Sequence, residues 1–222
     1  MNYKIMVLAI LLLSFLISCS KDNCSNPNPN PINNKVDTVK IGNQVWMNKD
    51  LDVDHYRNGD PIPQVSDSAQ WANLKTGAWC YYNNYPPIGA INGKLYNWYA
   101  VNDPRVLAPE GWHIPSDAEW TELVNYLGGD NIAGGKLREA GNSHWVSPNT
   151  GATNESGFTA LPGGWRNYLG VFDDVGYTDG WLSSTEYDAY GAWYRYVGYD
   201  GAYIVRVIGS KGTGFSVRCV RD

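Results

Sequence analysis

Charge is scarce in this sequence. Of its 222 residues, 18% are Asp, Glu, Lys or Arg and 43% are hydrophobic, so the chain is too apolar to be a solvated disordered polymer and can bury a core. Basic residues are the minority, 17 against 22 acidic, for a net charge of −5. No basic run occurs, so the phosphate-neutralising surface that nucleic acid requires is missing and nucleic acid is excluded as a partner. No apolar run reaches the about 20 residues of a membrane-spanning helix. Histidine is confined to His55, His113 and His144. None has a second His three or four residues away and no Cys-x-x-Cys occurs, so a zinc site lacks ligands at workable spacing. Asp50, Asp52 and Asp54 imitate the opening of a calcium loop, yet His55 stands where the Gly turn belongs and Pro61 where the bidentate Glu belongs. That segment reads as strand and turn. Nucleophile elbows and phosphate-cradling loops are likewise missing, so no cofactor and no catalysis are expected. Only a glycosidase carboxylate pair stays open, because carboxyl separation is a three-dimensional quantity.

The N-terminus reads as an address. Lys4 precedes an unbroken apolar stretch from Ile5 to Leu13, which fits a secretory signal peptide over residues 1–18. Leu16-Ile17-Ser18-Cys19 resembles a bacterial lipobox, and makes Cys19 the expected site of acylation. Each buried CH₂ of an acyl chain contributes about 0.8 kcal/mol, so several chains hold a protein on a membrane without any spanning helix. Residues 19–35 then form a polar Asn/Pro tether with nothing apolar to bury. Its opening, Ser20-Lys21-Asp22, resembles the signals that send some Gram-negative lipoproteins to the outer face of the outer membrane.

What the rest of the chain has in plenty is rings and turns. The 10 Trp and 16 Tyr outnumber the 4 Phe, and 24 Gly and 12 Pro punctuate short apolar runs, which points to many short strands. Gly42-Asn43 between Val39 and Met47 predicts a hairpin with a type II′ turn. Asp200-Gly201, between runs 193–199 and 202–207, predicts a second with a two-residue type I′ turn. Residues 215–220 follow as a strand with Phe215, Val217 and Cys219 on one face. Ser116 and Glu119 form a capping box ahead of Trp120, Leu123, Val124 and Leu127 at helical spacing, with Gly128 as a left-handed cap. A shorter helix is expected over 132–140. The expected class is α+β, in one domain over residues 36–222.

Six blocks carry a family resemblance: IGNQVWM at 41–47, GKLYNWYAVN at 93–102, GWHIPSDAEW at 111–120, TNESGFTALPGG at 153–164, WLSSTE at 181–186 and GFSVRCVRD at 214–222. Together they resemble the Fibrobacter succinogenes major paralogous domain. That family is similar to the C-type-lectin-like superfamily, in the branch that includes the formylglycine-generating sulfatase-modifying factors. The resemblance implies short helices, twisted antiparallel sheets and a long irregular loop region. It implies little about activity, because such a scaffold hosts lectins, adhesins and enzymes alike. The calcium-dependent sugar motifs of C-type lectins and the close Cys pair of formylglycine generation are both missing.

Chemistry is then sought in the second half. Trp165, Arg166, Trp181, Glu186, Tyr194 and Arg195 combine flat rings with planar hydrogen-bonding groups, the combination that grips a sugar through its CH faces and hydroxyls. The competing reading has the Trp side chains packing the core and the Arg side chains bracing loops. Export to an oxidising space makes Cys80 and Cys219 the expected disulfide, with two buried thiols as the alternative. The function expected is a surface-anchored, non-catalytic module that binds polysaccharide or another cell-surface component; an adhesive protein that meets another protein is the alternative.

Overall fold

The first hairpin forms where its turn residues require it. Strand β1 (Thr38–Ile41) pairs antiparallel with β2 (Gln44–Met47), from Thr38↔Met47 to Ile41↔Gln44. Gly42 takes φ +61° and Asn43 stays out of the left-handed region, the pattern of a type II′ turn. This computed structural model describes residues 37–222, so the signal peptide, Cys19 and the tether lie outside the described residues.

Short elements follow: α1 (Ser68–Ala72), β3 (Trp79–Cys80), α2 (Pro86–Asn92), β4 (Leu95–Tyr96), α3 (Trp98–Val101) and β5 (Trp112–His113). Helix α4 (Asp117–Tyr126) opens on the expected capping box. The Glu119 amide donates to Ser116 Oγ at 3.2 Å, and Glu119 Oε2 accepts from the Ser116 amide at 2.8 Å. Trp120, Leu123 and Val124 are buried along one face, and Gly128 ends the turn at φ +105°.

Helix α5 (Asp130–Leu137) starts two residues before the expected 132–140 and ends three residues short of it. Arg138 turns extended (φ −75°, ψ 145°) and the Glu139 amide donates to Ala160 O at 3.1 Å, so a strand-like bridge replaces the last helical turn.

Strands β6 (Trp165–Arg166) and β7 (Phe172–Asp173) make a small hairpin, and β8 (Thr178–Glu186), β9 (Gly191–Gly198) and β10 (Ile204–Ser210) form a three-stranded antiparallel sheet in the order β10-β9-β8. The β9–β10 hairpin is present, but Asp200-Gly201 does not close it as a two-residue turn: pairing stops at Val197↔Ile204. The loop carbonyls bond elsewhere. Gly198 O and Gly201 O accept from the Arg138 guanidinium, and Ala202 O accepts from the Gly135 amide at 2.8 Å, which draws the loop down onto α5.

The closing segment runs through the middle of the domain, buried from Thr213 to Val220. Regular pairing is confined to β11 (Val220–Arg221), which joins β2 to β5 in a four-stranded sheet of order β1-β2-β11-β5. Upstream, its backbone bonds one residue after another to a different neighbour: Phe215 to Tyr96, Ser216 O to the Leu182 amide, Val217 O to Leu51, Cys219 O to Met47. The alternation still holds. Phe215, Val217 and Cys219 enter one core cluster with Tyr96 and Trp98, whereas Ser216 and Arg218 face the other way, also buried.

On that second side Trp46, Trp120, Phe158 and Trp181 form an aromatic nucleus, with centroids 4.7 Å apart for Trp46–Trp120, 5.5 Å for Trp120–Trp181 and 5.4 Å for Phe158–Trp181. Such pairs contribute about 0.5–1.5 kcal/mol each beyond their buried area. The class is α+β, short helices with small antiparallel sheets.

Two expectations need correction. Cys80 and Cys219 are both free, buried thiols: Cys80 packs beside Trp71 and Leu95 in one cluster, Cys219 in another. Burial pushes each thiol up to about 12. The segment with Asp50, Asp52 and Asp54 is not a strand. Asp50 is buried against Arg218, and Asp52 pairs with Lys94.

Candidate ligand-binding face

The six side chains nominated for sugar recognition are not gathered in one place. Trp181, on β8, is fully buried in the aromatic nucleus and cannot serve as a stacking platform; its indole Nε1 donates to Asp50 Oδ1 at 3.0 Å. Arg166 is fully buried as well. Its guanidinium lies between the Trp71 and Phe172 rings, 4.6 and 4.7 Å from their centroids, and donates to the carbonyls of Val65, Ser66 and Gly170. Arg195 is buried and ties β9 to α4, donating to Asp117 Oδ1 at 2.7 Å and Thr121 Oγ1 at 2.9 Å. Burial lowers its pKa, with the Asp117 charge acting against that shift. These three are structural because they are buried and their polar atoms, the Nε of Arg195 excepted, bond within the protein itself. Glu186 is exposed and ion-paired with Lys211, whose ammonium sits 4.7 Å from the Trp98 ring centroid.

Trp165 and Tyr194 do come together. Both pack on Phe215, Trp165 edge-on at a centroid distance of 5.8 Å and Tyr194 stacked at 4.4 Å, and Tyr194 continues to Tyr196 at 6.4 Å. The sheet register explains the alignment. Tyr194 pairs with Val207 and Tyr196 with Val205, so both tyrosines share one face. Arg195 and Val197 project from the other, toward α4 and α5. Gly209 lies under the Tyr194 ring, where a Cβ would stand 2.4 Å from Cε1; only glycine lets the ring lie flat on β10. Phe215 is the buried filling, and Trp165, Tyr194 and Tyr196 keep part of their surface open to solvent. The Tyr194 and Tyr196 rings are within 31° of parallel, a face that suits the flat side of a sugar ring. Burial pushes the Tyr194 hydroxyl up, and Tyr196 adds to the shift. Tyr196 was visible in the sequence only as the second tyrosine of a period-2 pair.

Residues 39–221 match the Fibrobacter succinogenes major domain. The chain belongs to that family. No curated protein and no solved structure matches it.

A separate cleft of this Fibrobacter succinogenes major domain lies elsewhere among the described residues. It encloses about 500 Å³ between Arg57, Val101, Asp103, Leu107, Trp112 and His113, among others. Its charged groups are already engaged. Arg57 donates to the carbonyls of Ala108, Pro109 and Trp112. His113 is held at both nitrogens, Nε2 by Glu119 Oε1 at 2.7 Å and Nδ1 by Asp222 Oδ1 at 2.8 Å. Burial works to lower the His113 pKa, but the two carboxylates outweigh it and the net shift is upward. An imidazole with both nitrogens occupied by carboxylates is a clamp joining Asp222 to the α4 cap.

Proposed function

We propose that this protein is a non-catalytic, lipid-anchored binding module of the outer membrane, tethered through Cys19 and residues 19–35, whose ring face captures a carbohydrate-rich ligand outside the cell. One observation carries the reading: the partly open rings of Trp165 and Tyr194 packed on the buried Phe215, with the partly open Tyr196 beside Tyr194. Rings held flat by packing lose little freedom when a sugar settles on them. Recognition by such a face rests on stacking and hydrogen bonds, and single-site affinity is modest because a shallow polar ligand buries little area and gives up its water.

A second reading, adhesion to another protein, draws on a separate patch. The tip of the β6–β7 hairpin exposes Tyr168, Leu169 and Val171, with Leu169 57% exposed, and Tyr190 nearby is 84% exposed. A glycan array probed with the full chain decides between them. Retention of a defined class of polysaccharide is the expected result. No retention on a broad array, with tight binding of one cell-surface protein, supports adhesion instead.

A further inference from the structure

Oxygen atoms without partners collect in one buried place. Asp179 and Trp181 on β8 share a face with Ser216 and Arg218, because Trp181 and Ser216 form a parallel bridge between neighbouring extended segments. Asp179 and Ser216 are fully buried. Asp179 Oδ1 accepts from the Gly180 amide at 3.0 Å; among the described residues, Asp179 Oδ2 and Ser216 Oγ, which lie close to each other, make no hydrogen bond of ordinary geometry, and Asn92 Oδ1 at the end of α2 has no partner.

Gly163 shows that these groups converge. A Cβ there would stand 3.4 Å from Asp179 Oδ1, 3.4 Å from Ser216 Oγ and 3.6 Å from Asn92 Cβ. Asp50 lies alongside: Gly93, the residue after Asn92, packs on its carbonyl, and its Oδ1 accepts from Arg218 Nε at 2.7 Å and Trp181 Nε1 at 3.0 Å. A cleft of about 160 Å³, lined also by Asn48, the exposed Lys49 and Thr159, reaches Asp50 and Arg218, and among the described residues Asn48 Oδ1 is unpartnered too.

We propose that Asp179, Ser216 and Asn92, gathered beside Gly163 and next to Asp50, form a binding site for a hard metal cation. The donor set decides the class. Carboxylate, hydroxyl and amide oxygens, with no imidazole or thiolate, suit Ca²⁺ or Na⁺ and not zinc or copper. Charge bears on it too. Were both buried carboxylates ionised, they would face one guanidinium and leave the centre one positive charge short, a deficit that a proton or a cation must make good because a buried uncompensated charge is costly. A cation there neutralises the carboxylates, satisfies the orphaned oxygens together, and pins α2 and β8 to the closing strand.

Three measurements on the full-length chain in detergent test this. Melting is followed in chelator, in Ca²⁺, and in Na⁺ against choline at equal ionic strength. One of the two cations raises the melting temperature by several degrees, and which one does so identifies the ion. Tb³⁺ is the second probe, and its emission on excitation of tryptophan reports an ion beside Trp181. The third is Gly163→Ala, whose added methyl sits at ordinary contact distance, so the fold holds while the methyl occupies the ion's space. It and Asp179→Asn lose both the shift and the emission. Identical melting of the native chain in chelator, Ca²⁺ and Na⁺, without sensitised emission, overturns the site and leaves a proton and water to complete the centre. An undiminished cation shift in Gly163→Ala overturns it equally.

Discussion

Trp181→Ala separates a core indole from a binding platform more sharply than any other single change. The ring is fully buried, 5.5 Å from Trp120 and 5.4 Å from Phe158, and its Nε1 is one of two donors to Asp50 Oδ1. Truncating a buried Trp to Ala costs about 3–5 kcal/mol. Withdrawing a hydrogen bond from a buried carboxylate adds about 1 kcal/mol or more. A loss of about 4–6 kcal/mol is a large part of a domain's total of roughly 5–15 kcal/mol. At about 2–4 °C per kcal/mol for a domain of this size, the melting temperature falls by roughly 10–20 °C. Thermal melts read by far-ultraviolet circular dichroism measure it, with urea titration at constant m-value as the check that both chains unfold in one step. Tyr196→Ala, at a partly open ring, moves the melt by only a few degrees. A Trp181→Ala chain that melts within a few degrees of wild type would refute the placement of the indole in the core.

Arg138 is fully buried and donates to Asn149 Oδ1 and to the carbonyls of Gly134, Thr150, Gly198 and Gly201. Arg138→Met strands these acceptors at about 1–3 kcal/mol each where they stay buried, so a melting drop on the order of 10 °C is expected, and Arg138→Lys does not restore it because an ammonium lacks the fork. The His113 cluster makes stability depend on pH on both sides. His113 is raised from 6.5, so its contribution is complete below about pH 6.5 and is lost as pH rises through the raised value. Glu119 is lowered from 4.5 because the Ser116 amide and His113 outweigh the burial that raises it, so its contribution is complete above about pH 4.5 and is lost as pH falls through the lowered value. Melting against pH in wild type and His113→Gln checks this: the alkaline limb flattens in the variant, and the acid limb shrinks without vanishing because Glu119 loses His113 but keeps the Ser116 amide. Cys80 and Cys219 resist alkylation in the native chain and both react after denaturation, by peptide mass mapping; a linked Cys80–Cys219 peptide contradicts two free thiols.

What the sequence made legible is local. The Ser116/Glu119 capping box and the Gly42-Asn43 turn each depend on residues within three positions of one another, and both stand where their chemistry puts them. The alternation of Phe215, Val217 and Cys219 was equally readable, although the pairing that surrounds it is not regular. The failures are long-range. Asp200-Gly201 has the composition of a tight turn, but Arg138, some sixty residues earlier, takes the carbonyls on either side. Trp165 and Trp181 look alike in sequence; one packs on the edge of Phe215 and the other in the middle of the aromatic nucleus. Arg166 and Arg195 were nominated for their planar donors, and both are buried with their guanidinium groups bonded to Val65, Ser66 and Gly170 and to Asp117 and Thr121. Of the six nominated residues, Trp165 and Tyr194 pack on a common side chain, Phe215, which comes from a third segment of the chain.

The ring face is tested most directly by probing one glycan array with three chains: wild type, Trp165→Ala and Tyr196→Ala, each first checked by its melting curve. The wild-type chain retains a class of polysaccharide, and both variants lose that signal while their melts stay within a few degrees of wild type. Wild-type retention that survives both substitutions, or no retention by the wild-type chain at all, would contradict a carbohydrate-binding face at Trp165, Tyr194 and Tyr196.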